Sequence, residues 1–181
     1  MRMVLDACVI FPTVMREVLI GAAEAGLYTP LWSERIIGEW VRAAGRLGDG
    51  ASGIARAEAA VMQDAFPAAM IAATGPDCSG ALPDPGDDHV LATALAGAAA
   101  GIVTRNIKDF PLRVLGAHGL IRSGPDDFLM ALRREAPDAL GVVLTRVHGR
   151  AEAISGRDQD MRRLLKRAGL PRLGKAHTLG M

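Results

Sequence analysis

The chain reads as an α/β protein, with a parallel sheet sandwiched by helices and a C-terminal helical appendage. Three observations predict this. Short apolar runs of strand type alternate with amphipathic helical patterns from Met3 to Arg122. From Gly124 onward only helical patterns occur. The 181 residues are 50% hydrophobic, enough for a real core in one domain with an appendage.

The elements follow in order. Met3 to Leu5 is a short buried strand. Pro12 opens a helix to about Ala25, because Val14, Val18, Leu19 and Ala22 recur at helical spacing and Gly26 stops it. Tyr28 to Trp32 is the second strand. Ser33 is a good N-cap for a helix carrying Ile36, Ile37, Trp40 and Val41 on its apolar side. Gly48 to Gly53 reads as a flexible break, followed by a helix from about Ile54 to Phe66. Ala69 to Ala73 is a strand candidate and Thr74 to Leu82 a loop. Asp84 caps the next helix, with Pro85 at its first position and an end near Ala99. Ile102 to Thr104 is a strand, Leu112 to Ala117 a short helix, and Leu120 to Arg122 the last strand. Three helices make up the tail: Pro125 to Ala136, Pro137 to Ala153 and Asp158 to Ala168. The expected division is a domain over residues 1–123 and a helical extension over residues 124–181.

Charge is unevenly spread. The formal net charge is +1, but residues 1–111 carry 8 basic and 13 acidic side chains and residues 112–181 carry 13 and 7. The front, at −5, suits a metal, and the back, at +6, suits a polyanion. Arg133, Arg134, Arg162, Arg163, Lys166 and Arg167 are the tail's candidate polyanion contacts. Two cysteines make no disulfide framework. No basic and apolar leader opens the sequence, and the longest apolar stretch, Val90 to Val103, is too short to span a bilayer. The expectation is a soluble cytoplasmic protein.

Candidate chemistry gathers at the strand ends. Asp6 closes the first strand, and an acid there needs a partner. Asp87 and Asp88 open a helix, and Asn106 and Asp109 follow the strand at 102–104. Glu39 lies beside the apolar face of its helix, looking toward Asp6. In an open α/β sheet, ligands bind beyond the carboxyl ends of the strands. Oxygen donors converging there suit a hard cation such as Mg²⁺ or Mn²⁺, which relieves their repulsion, activates water and clamps a phosphodiester. Acids in a first helical turn also serve the helix dipole alone, and for Asp84 that is the preferred role. Cys8 reads as a small buried filler and His89 as a packing or capping residue.

Four blocks carry a resemblance: Leu5 to Val9, Trp32 to Trp40, Leu82 to Ala92 and Ile102 to Pro111. In this order they resemble the PIN domain, in the branch of VapC-type toxins, over residues 1 to about 130. The tail is similar to the helical extension of one subgroup. The resemblance implies a PIN-like fold and a Mg²⁺- or Mn²⁺-dependent endoribonuclease, the toxin of a toxin–antitoxin pair. It implies RNA as substrate, a cognate antitoxin as partner and, with the high apolar content, a homodimer. Asp6, Glu39 and Asp87 match the acidic triad. Asn106 falls where many members have a fourth acid, and Asp109 matches the acid before the Phe. Catalytic roles thus fall to Asp6, Glu39, Asp87 and Asp109, with Asn106 joining them as a metal ligand. His89 to Ala92 sets the register in favour of Asp87, with Asp88 the other choice. Thr104 and Arg105 are candidate substrate contacts. A haloacid-dehalogenase-type phosphatase would need an Asp where Cys8 stands. The alternative is a non-catalytic nucleic-acid- or protein-binding adaptor with a degenerate PIN fold, supported by the missing charge at Asn106.

Overall fold

The computed structural model describes residues 1–72 and 77–179. Four strands form one sheet: β1 (Arg2–Leu5), β2 (Thr29–Leu31), β3 (Gly101–Val103) and β4 (Ile121–Ser123). Their order is β2-β1-β3-β4, and every neighbouring pair is parallel. Parallel strands need crossover segments, which the intervening helices supply. The helices are α1 (Ala7–Ile10), α2 (Thr13–Glu24), α3 (Glu34–Gly45), α4 (Ala51–Ala65), α5 (Asp88–Ala96) and α6 (Leu112–Ala117), followed by α7 (Pro125–Glu135), α8 (Pro137–Ser155), α9 (Met161–Arg167) and α10 (Pro171–Leu179). Single 3₁₀ turns occur at Pro67–Ala69, Pro85–Asp87 and Ile107–Asp109. The expected class, a parallel α/β sheet flanked by helices with further C-terminal helices, is the fold observed.

The chain divides into two compact units. The first comprises Met1–Phe11 and Tyr28–Ser123 and holds the sheet. Met3, Val4 and Leu5 of the central strand are buried, as are Ile102 and Val103 beside them. α5 packs on β1 and β3, α6 packs on β4, and α3 lies against α1 and α4. Trp32 and Trp40 are fully buried, and the Trp32 ring meets Phe66 edge-on with centroids 6.2 Å apart. The sheet leaves no room for a side chain at Gly101, because a Cβ there would run into the Ile121 carbonyl of β4. The second unit joins Pro12–Leu27 to the residues from Gly124. There α2 packs on α8, α7 on α8 and α10, and α10 on α9. A Cβ on Gly21 would meet Val143 Cγ1 at 2.6 Å, so a glycine lets α2 and α8 approach closely.

Several expected boundaries shift, each for a local reason. The helix expected from Ile54 begins at Ala51, because Gly50 adopts φ 83° and serves as its N-cap. The helix expected to reach Ala99 is a 3₁₀ turn followed by α5, and it ends at Ala96 with Gly97 as C-cap. Ala98, at φ 45°, then turns the chain so that Ala100 N–H donates to the Arg2 carbonyl at 2.8 Å. The strand candidate at 69–73 reduces to one parallel bridge between Trp32 and Met70, and Ala73 lies outside the described residues. The loop at 74–82 is described only from Asp77. Two helices were not expected. α1 begins directly after Asp6, whose side chain caps it. α10 starts at Pro171, after Gly169 at φ 81°. Among the described residues, no helix is long and apolar enough to cross a membrane.

Candidate active site

The sheet order fixes where a site can form. From β1 the chain steps to β2 on one side, and later returns to β3 on the other. The order therefore reverses between β1 and β3, where a crevice opens at the carboxyl ends. Asp6 follows β1, and Thr104, Arg105 and Asn106 follow β3. The two strand ends are tied together there, with Asp6 N–H donating to the Val103 carbonyl at 3.1 Å.

Asp6 is nearly buried and fully engaged. Its Oδ1 accepts from Cys8 N–H at 3.4 Å as the cap of α1. Its Oδ2 accepts from the Thr104 hydroxyl at 2.6 Å and from the Cys8 thiol at 3.0 Å. Thr104 is fully buried, and its oxygen also accepts Asn106 N–H at 2.9 Å. Its hydroxyl thus orients the acid from beneath the cleft. Cys8 is not a core filler: it lines the cleft, and its sulfur accepts Arg105 N–H at 3.2 Å. Burial, and then the Asp6 charge, push the thiol pKa up to about 12, so the group keeps its proton and donates it to the carboxylate.

Glu39 reaches the same cleft from α3. His89 Nε2 lies 2.9 Å from its Oε1, off the line of an aligned hydrogen bond. Arg35 Nε lies 3.4 Å from the same oxygen, and Arg35 also donates to the Gly86 carbonyl at 3.1 Å. His89 and Arg35 together hold Glu39 toward the turn that carries Asp87. Burial lowers the His89 pKa against the opposing pull of Glu39.

The adjacent aspartates have different surroundings. Asp88 is turned inward, accepting from Gly80 N–H at 2.7 Å and Leu82 N–H at 3.0 Å. Its carboxylate organises the loop before α5. Asp84 caps its 3₁₀ turn through Gly86 N–H at 2.8 Å. Asp87 lines the cleft with Asp6 and Glu39, and its Oδ2 accepts from the Asn106 amide at 3.4 Å. Its carboxyl pKa is pushed up to about 6, first by burial and then by the charges of Asp6, Asp84, Asp109 and Glu39. Asp109, on the 3₁₀ turn after β3, adds its charge to this field without lining the cleft.

The cleft has a volume of about 660 Å³ and is also lined by Phe11, Arg42, Arg46 and Arg105. Phe11, Arg42 and Arg46 escaped sequence reasoning, although Arg42 and Arg46 stand three and seven residues after Glu39, on one helical face. Of the tail's basic residues, Arg133 donates to the Ala176 carbonyl and Arg167 to the Gln159 side chain, while Arg162, Arg163 and Lys166 are exposed.

A family model described as a PIN domain matches residues 2–108, more than half of the 181-residue chain. The chain belongs to the PIN domain family. The match takes in Asp6, Glu39, Asp87 and Asn106 and stops one residue before Asp109. PIN domains are generally nucleases that typically use divalent metals. Comparisons with curated proteins and with solved structures returned no match. Among the described residues, no three His, Cys, Asp or Glu side chains converge closely enough to hold a metal ion unaided. The donor set still fits a hard cation. All the side-chain donors are oxygens, their charges repel one another, and Mg²⁺ is commonly bound by one or two carboxylates with water completing its shell.

Proposed function

We propose that this PIN domain is a Mg²⁺- or Mn²⁺-dependent endoribonuclease of the VapC type, the toxin of a toxin–antitoxin pair. The observation that carries the reading is the cleft lined together by Asp6, Glu39 and Asp87, where burial and then the neighbouring carboxylate charges raise the Asp87 pKa and a cation would relieve the repulsion. Asp6 and Asp87 would hold that cation, with Glu39, Asp109 and Asn106 reaching it directly or through water. When bound, the metal supplies a water of lowered pKa and neutralises charge building on the phosphodiester. The chain's own residues prepare for this. Thr104 and Cys8 fix the Asp6 carboxylate, so its orientation does not depend on the ligand. His89 and Arg35 fix Glu39. The Asn106 amide orients Asp87 from the β3 side. A cation and the attacking water would thereby be met by pre-set acceptors.

The test is cleavage of a panel of single-stranded RNAs by the full chain, with Mn²⁺ and with EDTA. Cleavage that requires Mn²⁺ and is lost in Asp6→Asn is the expected result. RNA binding without cleavage under every metal would return the chain to the adaptor reading. A homodimer and a cognate antitoxin belong to the same proposal. Sedimentation at micromolar concentration, alone and with the product of the neighbouring gene, checks both.

A further inference from the structure

The cleft contains both signs of charge, held apart. Its acids are Asp6, Glu39 and Asp87, and its cations are Arg42, Arg46 and Arg105. Opposite charges this near would ordinarily pair, and Asp87 has every electrostatic reason to attract a guanidinium. Yet among the described residues none of these three arginines makes a hydrogen bond or ion pair through its side chain. Two arginines near the cleft's walls are committed elsewhere. Arg35 holds Glu39 and the Gly86 carbonyl, and Arg122 donates to the Ile107 and Phe110 carbonyls. The unpaired three belong to exposed residues. They come from two elements: Arg42 on α3 with Arg46 as its C-cap, and Arg105 after β3.

A glycine inside α3 supports the arrangement. Gly38 is in mid-helix, where glycine is unfavourable. The place its Cβ would take lies 3.2 Å from Arg42 Nη1, so the guanidinium folds back over the bare helix. Gly38 thus makes the seat in which Arg42 rests beside the cleft. Phe11, at the end of α1, is the one aromatic side chain lining it.

We propose that Arg42, Arg46 and Arg105 grip the backbone of a single-stranded RNA on both sides of the acids, with a base stacked on Phe11. This rests on the nuclease reading and deepens it. The arginines take phosphates flanking the one that faces the acids, because free guanidinium groups suit phosphate oxygens. The strand is single because a base must leave a helical stack to reach an aromatic ring in a cleft. Arg42 in the last turn of α3 and Arg46 at its C-cap are four residues apart, so the end of that helix forms the wall along which the strand runs.

The experiment uses the full chain, with affinity read by fluorescence anisotropy in EDTA, so that binding is separated from cleavage. The probe is a labelled mixed-sequence RNA, single-stranded or annealed to its complement, over a salt series. The triple variant Arg42→Ala/Arg46→Ala/Arg105→Ala should bind the single strand more weakly, with the log–log salt slope shallower by about 2, at about 0.7 per lost phosphate contact. A control of equal charge, Arg56→Ala/Arg113→Ala/Arg157→Ala, replaces exposed arginines outside the cleft and should change the slope little. Phe11→Leu should lose about 5- to 150-fold in single-strand affinity, and Phe11→Tyr should keep it. Mn²⁺ affinity of the triple variant, from calorimetry, should be no weaker than wild type, which shows an intact site.

Equal slopes for the cleft triple and wild type would overturn the inference. So would a loss that follows charge reversal at Arg162 and Arg163 with the cleft triple intact, because the strand would then lie on the tail. If wild type cleaves with Mn²⁺ while the triple binds normally, the inference fails and the nuclease reading stands. If no metal supports cleavage but binding still depends on the three arginines, the inference stands without that reading.

Discussion

At the scale of single residues, the neighbouring aspartates of the Gly86-Asp87-Asp88 run separate by what each carboxylate faces. Asp87→Asn removes one of several mutually repelling charges, so the metal-free protein should be no less stable than wild type. Metal affinity and cleavage should fall together by orders of magnitude, because the cation both activates water and clamps the phosphate. Asp88→Asn should show the opposite pattern. It loses an acceptor for one of two loop N–H groups and should cost about 1–3 kcal/mol of stability. Melting curves with and without Mn²⁺, beside a cleavage assay, distinguish the two. The Asp87 shift also has a pH signature. Its folded pKa, near 6, lies above the ordinary value of 3.8, so the folded state holds the proton more tightly than the unfolded chain. That contribution to stability is full below about 3.8 and is lost as pH rises through 6. Between these values the metal-free wild type should melt progressively higher on acidification relative to Asp87→Asn, and saturating Mn²⁺ should abolish the difference. A constant gap between the two proteins across that window would remove the case for crowding at Asp87.

At the scale of elements, the β3–β4 contact is the most sensitive point in the sheet. Gly101→Ala would drive a Cβ into the Ile121 carbonyl and side chain, at an overpacking cost of about 1–3 kcal/mol. The strain enters the β3–β4 pair three residues before the Thr104 N–H bond to the Ser123 carbonyl, 3.0 Å long, which seats Thr104 under Asp6, and the continuous strand pairing links the two. The variant should therefore lose both melting temperature and Mn²⁺ affinity, whereas a replacement remote from the strand ends should lose only the first. Unchanged Mn²⁺ affinity in a destabilised Gly101→Ala would uncouple the strand pair from the site. Period and punctuation made most elements legible: Ser33 caps α3 through Ile36 N–H, and α6 spans Leu112–Ala117 as its flanking Pro111 and Gly119 suggest. The acids were readable because they stand at strand and helix ends. What escaped needs three-dimensional proximity. Cys8 reads as a filler until Asp6 Oδ2 is seen 3.0 Å from its sulfur. The role of His89 depends on α5 reaching Glu39 of α3, which no spacing within either helix reveals, whereas the Arg35–Glu39 contact is an i,i+4 pair that spacing alone could have offered.

At the scale of the whole molecule, the two compact units are not consecutive in sequence. α2 belongs with the helices after Gly124, where its partner is α8 and where Met15, Val18, Leu19, Ala22 and Ala23 of α2 are buried. A chain ended at Ser123 would uncover this apolar face, with each fully buried Val or Leu side chain worth about 1.5–3 kcal/mol. Such a truncation should bind a hydrophobic dye and melt well below the full chain. A sharp melt at the full chain's temperature would show that α2 needs no partner from the tail. The pairing of Asp6 with Thr104 also bears on time. The two residues are separated by 98 positions, so the floor of the cleft cannot form until a loop of that length has closed. Closing it costs entropy that grows with the logarithm of the length, and such distant pairings are made late. On the proposed nuclease reading, a chain emerging from synthesis would carry its first carboxylate from the outset and yet be harmless to the RNA around it, because the cleft is incomplete until β3 has joined β1.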